Sequence, residues 1–245
     1  TTGACVTVPD PMACNPARPL TDPQSKLGVA APLVDDVTRM NASLVQRVFH
    51  VRGHEDIQKV VRLAREQGVK VSSRGTQHTM GGHTIATGGY VIDCKNLRKL
   101  SFDPRTGICV TGPGNTWADL IKLLNEYGFS PRTMQSYSTF SVGGSIAVNA
   151  HGITTDFPVS ESVVSCKLVD AQGNLHELKH GDELMKYVCG GYGLFGIIYE
   201  VTVLADDIVY PSMDMHSCVT WRIHVLHGVF MCDMAYLCVT WRIHV

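Results

Sequence analysis

Residues 1–44 are rich in Pro, Asp, Thr and Asn and carry no sustained hydrophobic period, which predicts an irregular lead-in. Regular patterning begins next. A short apolar strand is expected at 48–51. At 54–66 (HEDIQKVVRLARE), Ile57, Val60, Val61 and Ala64 share one helical face, with acids in the first turn and Gly68 just past the end. Strands are expected at 69–72, 90–93 and 108–111. A second amphipathic helix at 117–127 carries Trp117, Leu120, Ile121, Leu124 and Tyr127 behind Thr116, a suitable N-cap. Segments 162–170 and 174–178 flank Ala171-Gln172-Gly173 and read as a hairpin, and 196–204 is a β-branched strand. This alternation of strands and helices predicts an α+β, α/β-like fold with its own core.

The pattern changes after Leu204. CVTWRIHV stands at 218–225 and again at 238–245, too short a unit to be a structural repeat and without turn residues between the copies. Residues 205–245 are therefore expected to be an aberrant tail outside the fold, and no function is assigned to it.

Composition narrows the class. Of 245 residues, 18% are charged and the net charge is −1, with no basic stripe that would suit nucleic acid. No run of about 18 apolar residues predicts a membrane-spanning helix. The nine cysteines include no CxxC pair, so no zinc site is expected. Cys94, Cys109 and Cys166 lie in strand-like runs and read as small buried hydrophobes. Localisation is left open.

Candidate chemistry sits in two glycine-rich loops, each leaving a strand: SRGTQHTMGGH at 73–83 and SVGGSIAVNAHG at 141–152. Glycines let backbone N–H groups approach a ligand and cradle phosphate oxygens, here with Ser and Thr hydroxyls and one Arg nearby. Neither loop matches GxGxxG or GxxxxGK[ST], so Rossmann and P-loop readings lack their fingerprint. From the residues alone, a phosphate cradle and a pair of tight turns remain the two alternatives.

The order of motifs adds more. An acid-capped helix leads to VKVSS, then RGTQHTMGG, GGYVIDCKNLRKL, GPGNTWADL, TFSVGGSIAVNAHG and GGYGLFGIIYEVTVL. Over residues 45–204 this succession resembles the PCMH-type FAD-binding domain of the vanillyl-alcohol-oxidase-type flavoproteins. Those proteins include aldonolactone and alditol oxidases, cytokinin dehydrogenases and berberine-bridge-type enzymes. The resemblance implies two small α/β subdomains (45–111 and 112–204) sandwiching FAD. It implies that Arg74, Gly75, Thr76, Gln77, His78 and Thr79 form a first pyrophosphate loop, with His78 where many members bond the flavin covalently. His83 would touch the flavin or end that loop. Ser141, Gly143, Gly144 and Ala147 would line the second loop. His151 and Gly152 match a pair seen in the sugar-lactone-oxidising branch, and Ile197 and Ile198 would meet the adenosine end. Met134 to Phe140 holds no cysteine for a second covalent link.

The implied reaction is hydride transfer from a carbinol or amine carbon of a small molecule to flavin N5, followed by reoxidation by O₂ or another acceptor. A sugar-like alcohol or lactone is the expected substrate. No second α/β pattern follows Leu204, so the expectation is a flavin-binding portion without its substrate domain and without an identified catalytic base. The alternatives are a non-catalytic FAD- or nucleotide-binding fragment, and a reductase of the enolpyruvyl-glucosamine type.

Overall fold

The protein is described by a computed structural model over residues 32–152 and 157–208. The duplicated octapeptide and most of the lead-in lie outside the described residues. Within it the chain builds, in order, β1 (Leu33–Val34), β2 (Ser43–Leu44), β3 (Arg47–His50), α1 (His54–Gln67), β4 (Val71–Arg74), β5 (Tyr90–Asp93), β6 (Leu100–Asp103) and β7 (Ile108–Thr111). Then come α2 (Trp117–Asn125), β8 (Phe129–Pro131), α3 (Val142–Ala147), β9 (Val163–Val169), β10 (Leu175–Lys179), α4 (Glu183–Val188) and β11 (Ile197–Asp207).

The smaller sheet is parallel, in the order β3-β5-β4. Its two outer strands are joined by α1, which buries Ile57, Val60, Val61 and Ala64 and ends on Gly68 in the left-handed conformation at φ 64°. Central strand β5 is buried throughout. Its alternation sends Tyr90 and Ile92 into the core under α1, and Val91 into a second cluster with Val34 and Val45. Those last two contacts draw residues 33–45, part of the expected irregular lead-in, into the fold.

The larger sheet is antiparallel, in the order β10-β9-β11-β7-β6, with β8 pairing the far end of β11. Strands β6 and β7, grouped with the first subdomain by sequence order, pair with each other, and β7 pairs with β11. The chain therefore passes from the smaller sheet to the larger between Asp93 and Leu100. The cause is a partner strand that arrives nearly a hundred residues later. Strand β11 also runs past Leu204 to Asp207. The β9–β10 hairpin forms around Ala171-Gln172-Gly173, with Gly173 at φ 82°.

Under this sheet lies a core built on Trp117, Leu120, Leu124, Val142, Ile146, Leu168 and Val201. Thr116 caps α2 in a reciprocal box with Asp119. Trp117 is fully buried, and its indole N–H donates to Ser145 Oγ at 2.9 Å, tying α2 to α3. Burial pushes the Cys94, Cys109 and Cys166 thiols up to about 12, 11 and 12. All three are free and buried, which suits packing and not thiolate chemistry. Replacing Trp117 by Ala should cost about 3–5 kcal/mol of stability through the cavity left behind. Urea unfolding at constant slope would measure it.

Candidate cofactor site

Where the two sheets meet, a cavity of about 810 Å³ opens between the loop after β4, the start of α3, the segment 192–196 and the start of β11. That volume falls within the range of about 300–1,000 Å³ common for small-molecule and cofactor sites.

The first wall is rooted by an ion pair. Parallel register sets Arg74 directly opposite Asp93, and the guanidinium donates through Nε and Nη2 to Asp93 Oδ2 at 3.0 and 2.9 Å. Both side chains are largely withdrawn from solvent, at 11% and 3% exposure. Arg74 lines the cavity, but this pairing makes its first task structural. Asp93, the last residue of β5, is its anchor.

Beyond Arg74 the chain runs without regular structure. Among the described residues, no amide from Gly75 to Gly81 donates to a protein acceptor, and the Gly82 amide meets Asp36 Oδ2 at 2.9 Å. Backbone donors are rarely left unmet unless solvent or a ligand takes them. Two side-chain oxygens on the same wall, Thr79 Oγ1 and Thr84 Oγ1, are buried without a partner. A run of open amides with orphaned hydroxyls is the donor set that phosphate oxygens require.

The second wall is Ser141 and α3. Val142 N–H donates to Asn115 O at 2.8 Å and Gly143 N–H to Pro113 O at 3.1 Å, so the Gly112-Pro113-Gly114 turn holds this loop by its backbone. No side chain fits between them: a Cβ on Gly143 would sit 2.4 Å from Pro113 Cβ. The two walls touch as closely, since a Cβ on Gly75 would meet Ser141 Oγ at 2.2 Å. Thr76 Oγ1 spans the same gap by accepting from Ser141 N–H at 3.1 Å.

Ten of the residues expected from sequence line the cavity: Arg74, Gly75, Thr79, His83, Ser141, Gly143, Gly144, Ala147, Ile197 and Ile198. Five do not. Gln77, at φ 60°, turns its amide away to Asp35 O at 2.5 Å. Thr76 is occupied at the junction with Ser141. His78 sits just behind it, with Nδ1 3.0 Å from Thr76 Oγ1, Nε2 3.3 Å from Thr139 Oγ1, and its ring against Phe140. Burial lowers the His78 pKa, favouring the neutral imidazole. His151 is exposed, with Nδ1 3.0 Å from Gly152 O, and Gly152 bonds Phe157 across the ends of the undescribed segment 153–156.

Sequence reasoning assigned no role to Tyr192, Leu194 and Phe195, which also line the cavity. Tyr192 stands at φ 53°, flanked by Gly190, Gly193 and Gly196 at positive φ, and its ring meets that of His83 at 5.6 Å. The glycine density of GGYGLFG was the available signal. Asp170 lines the far end and pairs with His176 at 2.7 Å. Although burial opposes ionisation, the bonds from His176, Asn174 and Gln172 bring its pKa down to about 2. Among the described residues no three His, Cys, Asp or Glu side chains gather as a metal site, and no helix is long and apolar enough to cross a membrane.

The profile of the FAD binding domain family matches residues 45–179, more than half the chain and the stretch that builds most of this cavity. The chain belongs to that family, and FAD is the cofactor its residues fit. Among similar proteins, Cytokinin dehydrogenase 1 of Arabidopsis thaliana is 30% identical over 207 residues, covering 78% of this chain and 34% of the relative. A Neurospora crassa protein named "Putative D-arabinono-1,4-lactone oxidase" is 30% identical over 66% of this chain and 30% of its own length. The solved structure of 6-hydroxy-D-nicotine oxidase from Arthrobacter nicotinovorans superposes with a TM-score of 0.61 at 23% identity, covering 65% of this chain and 36% of that one. The chain spans about a third of the length of these proteins.

Two substitutions probe the walls. Asp93→Ala should cost about 3–5 kcal/mol, because it strands a buried guanidinium; chemical denaturation would read the loss. Gly75→Ala should push the walls apart and abolish FAD uptake, while circular dichroism shows both sheets retained. Unchanged uptake would mean the contact with Ser141 is not needed.

Proposed function

We propose that this chain is the FAD-holding portion of an oxidoreductase that takes hydride from an alcohol-type carbon of a sugar-like or lactone substrate. The observation that carries the cofactor half is the cavity wall at Gly75 and Thr79, whose amides meet no protein acceptor, beside the orphaned hydroxyls of Thr79 and Thr84. The pyrophosphate is placed there and against Ser141, Gly143 and Gly144 on the facing wall, where α3 contributes a close backbone approach. Ala147 and His83 lie further along, and the apolar surface of Ile197 and Ile198 suits the adenosine end.

When bound, FAD supplies a two-electron acceptor, which O₂ or another carrier then reoxidises. The chain's own contribution is to bind, orient and shield it. His78 is proposed as the point of covalent attachment: its imidazole is held neutral by burial, and Thr76 and Thr139 fix its ring at the loop junction. The substrate class rests on the Neurospora relative and on the His151-Gly152 pair. The residue that removes the substrate proton is not assigned, since Asp170 is too weak a base at about 2 and faces the opposite end.

The test begins with the purified chain incubated with FAD and precipitated in acid. Flavin fluorescence should stay in the pellet, and His78→Ala should move it to the supernatant. Absence of flavin from both fractions would overturn the cofactor assignment. Anaerobic bleaching of bound flavin should then be faster with aldonolactones and alditols than with cytokinins. The reverse order would overturn the substrate class while leaving the cofactor in place.

A further inference from the structure

The turn 35–41 precedes the segment that the family profile matches, yet among the described residues it bonds the flavin loop at residues 77, 80 and 82. Asp36 is buried, at 6% exposure. Its Oδ1 accepts from Thr38 N–H at 3.0 Å and Thr38 Oγ1–H at 2.6 Å. Its Oδ2 accepts from Asn41 Nδ2 at 2.7 Å and from Gly82 N–H at 2.9 Å. A carboxylate removed from water must find donors or change its protonation, and here four hydrogen bonds satisfy it. Burial alone would raise its pKa, but the bonds from Thr38, Gly82 and Asn41 outweigh that and lower it.

The same turn reaches the loop at two more places. Val37 N–H donates to Gln77 O at 3.0 Å, while Gln77 Nε2 returns a bond to Asp35 O. Asn41 Nδ2 also contacts Met80 O at 3.2 Å. The loop is thus gripped at residues 77, 80 and 82. Within that span lie His78 and Thr79, pointing respectively to Phe140 and to the cavity wall.

We infer that Asp36 is a positioning residue for the flavin loop: through Gly82, Thr38 and Asn41 it clamps residues 77–82 so that the open amides, His78 and Thr79 keep their placement before any ligand arrives. Its value for cofactor binding rests on the FAD reading above; the clamp itself does not. Preorganisation of this kind lowers the ordering cost that binding would otherwise meet. Asp36→Asn keeps the shape but replaces one acceptor oxygen with a donor facing the Gly82 or Thr38 donors.

The experiment is peptide-resolved hydrogen exchange on the ligand-free chain, paired with FAD affinity. Asp36→Asn should speed exchange at Gly82 and Val37, the two amides bonded across the clamp, by about tenfold or more, the loss expected of one charge-assisted hydrogen bond. Exchange in the β9–β10 hairpin should not change, and FAD should bind more weakly by a similar factor. Asn41→Ala, which removes the second grip and leaves the charge, should give the same local pattern at smaller size and serves if Asp36→Asn fails to fold. Unchanged exchange at Gly82 and Val37, or a uniform rise across the chain, would overturn the clamp. If the wild type binds no FAD yet the variant loosens only this loop, the clamp stands and the cofactor reading falls. If the wild type binds FAD and the variant binds it equally well, the positioning role falls.

Discussion

Gly75 and Ser141 meet at a distance that admits no side chain, and the shape of the cleft depends on that contact. Each belongs to a loop leaving a different half of the fold: one extends a parallel three-stranded sheet, the other caps an antiparallel one. The core under α1 takes in Val169 of β9 and Ile197 of β11, so apolar packing also joins the halves. At the cleft the Gly75 backbone meets the Ser141 side chain, and Thr76 Oγ1 accepts from Ser141 N–H, so the two loops come together there. The Gly112-Pro113-Gly114 turn repeats the device from behind. A Cβ on Gly112 or Gly114 would lie 2.1 Å from Leu97 O or 2.3 Å from Cys94 O. Core packing stabilises each half, and glycine sets the spacing between them.

That spacing has an energetic cost, and the structure shows where it is met. The cleft walls carry unmet amides, orphaned hydroxyls and two non-glycine residues, Gln77 and Tyr192, in the left-handed region. Each such residue costs about 1–2 kcal/mol. Strain of this kind persists only where surrounding interactions over-determine the backbone. Here they are the Arg74–Asp93 pair at the root of the first loop, the Asp36 cluster along it, and Tyr192 N–H to Ala147 O at 2.8 Å on the second wall.

Much of this was legible in the sequence because it is local. The period of Ile57, Val60, Val61 and Ala64 gives α1, Thr116 marks the start of α2, and the two glycine-rich loops stand out by composition. What was not legible depends on partners distant in the chain. Strands β6 and β7 join the larger sheet because β11 pairs with β7, a choice no window around residue 105 contains. Asp93 anchors Arg74 only because parallel register brings positions 74 and 93 level. The lead-in hides Asp36, since Pro, Asp and Thr signal turns without saying what those turns hold.

The same distance dependence explains how labour divides within the first loop. By sequence, Arg74 to Thr79 is a uniform run of polar groups, each a plausible phosphate ligand. In three dimensions the run separates by direction. Arg74 and Gln77 spend their side chains on protein partners on either side, Asp93 and Asp35 O. Thr76 closes the gap to the second wall. That leaves Gly75 and Thr79 at the cavity. A charged side chain is a poor choice for close phosphate contact here, because Asp93 already competes for Arg74 at 2.9 Å. Amides fixed in space bind an anion without bringing a mobile charge of their own. The arginine therefore serves the site by holding the strand end in place beside the cavity.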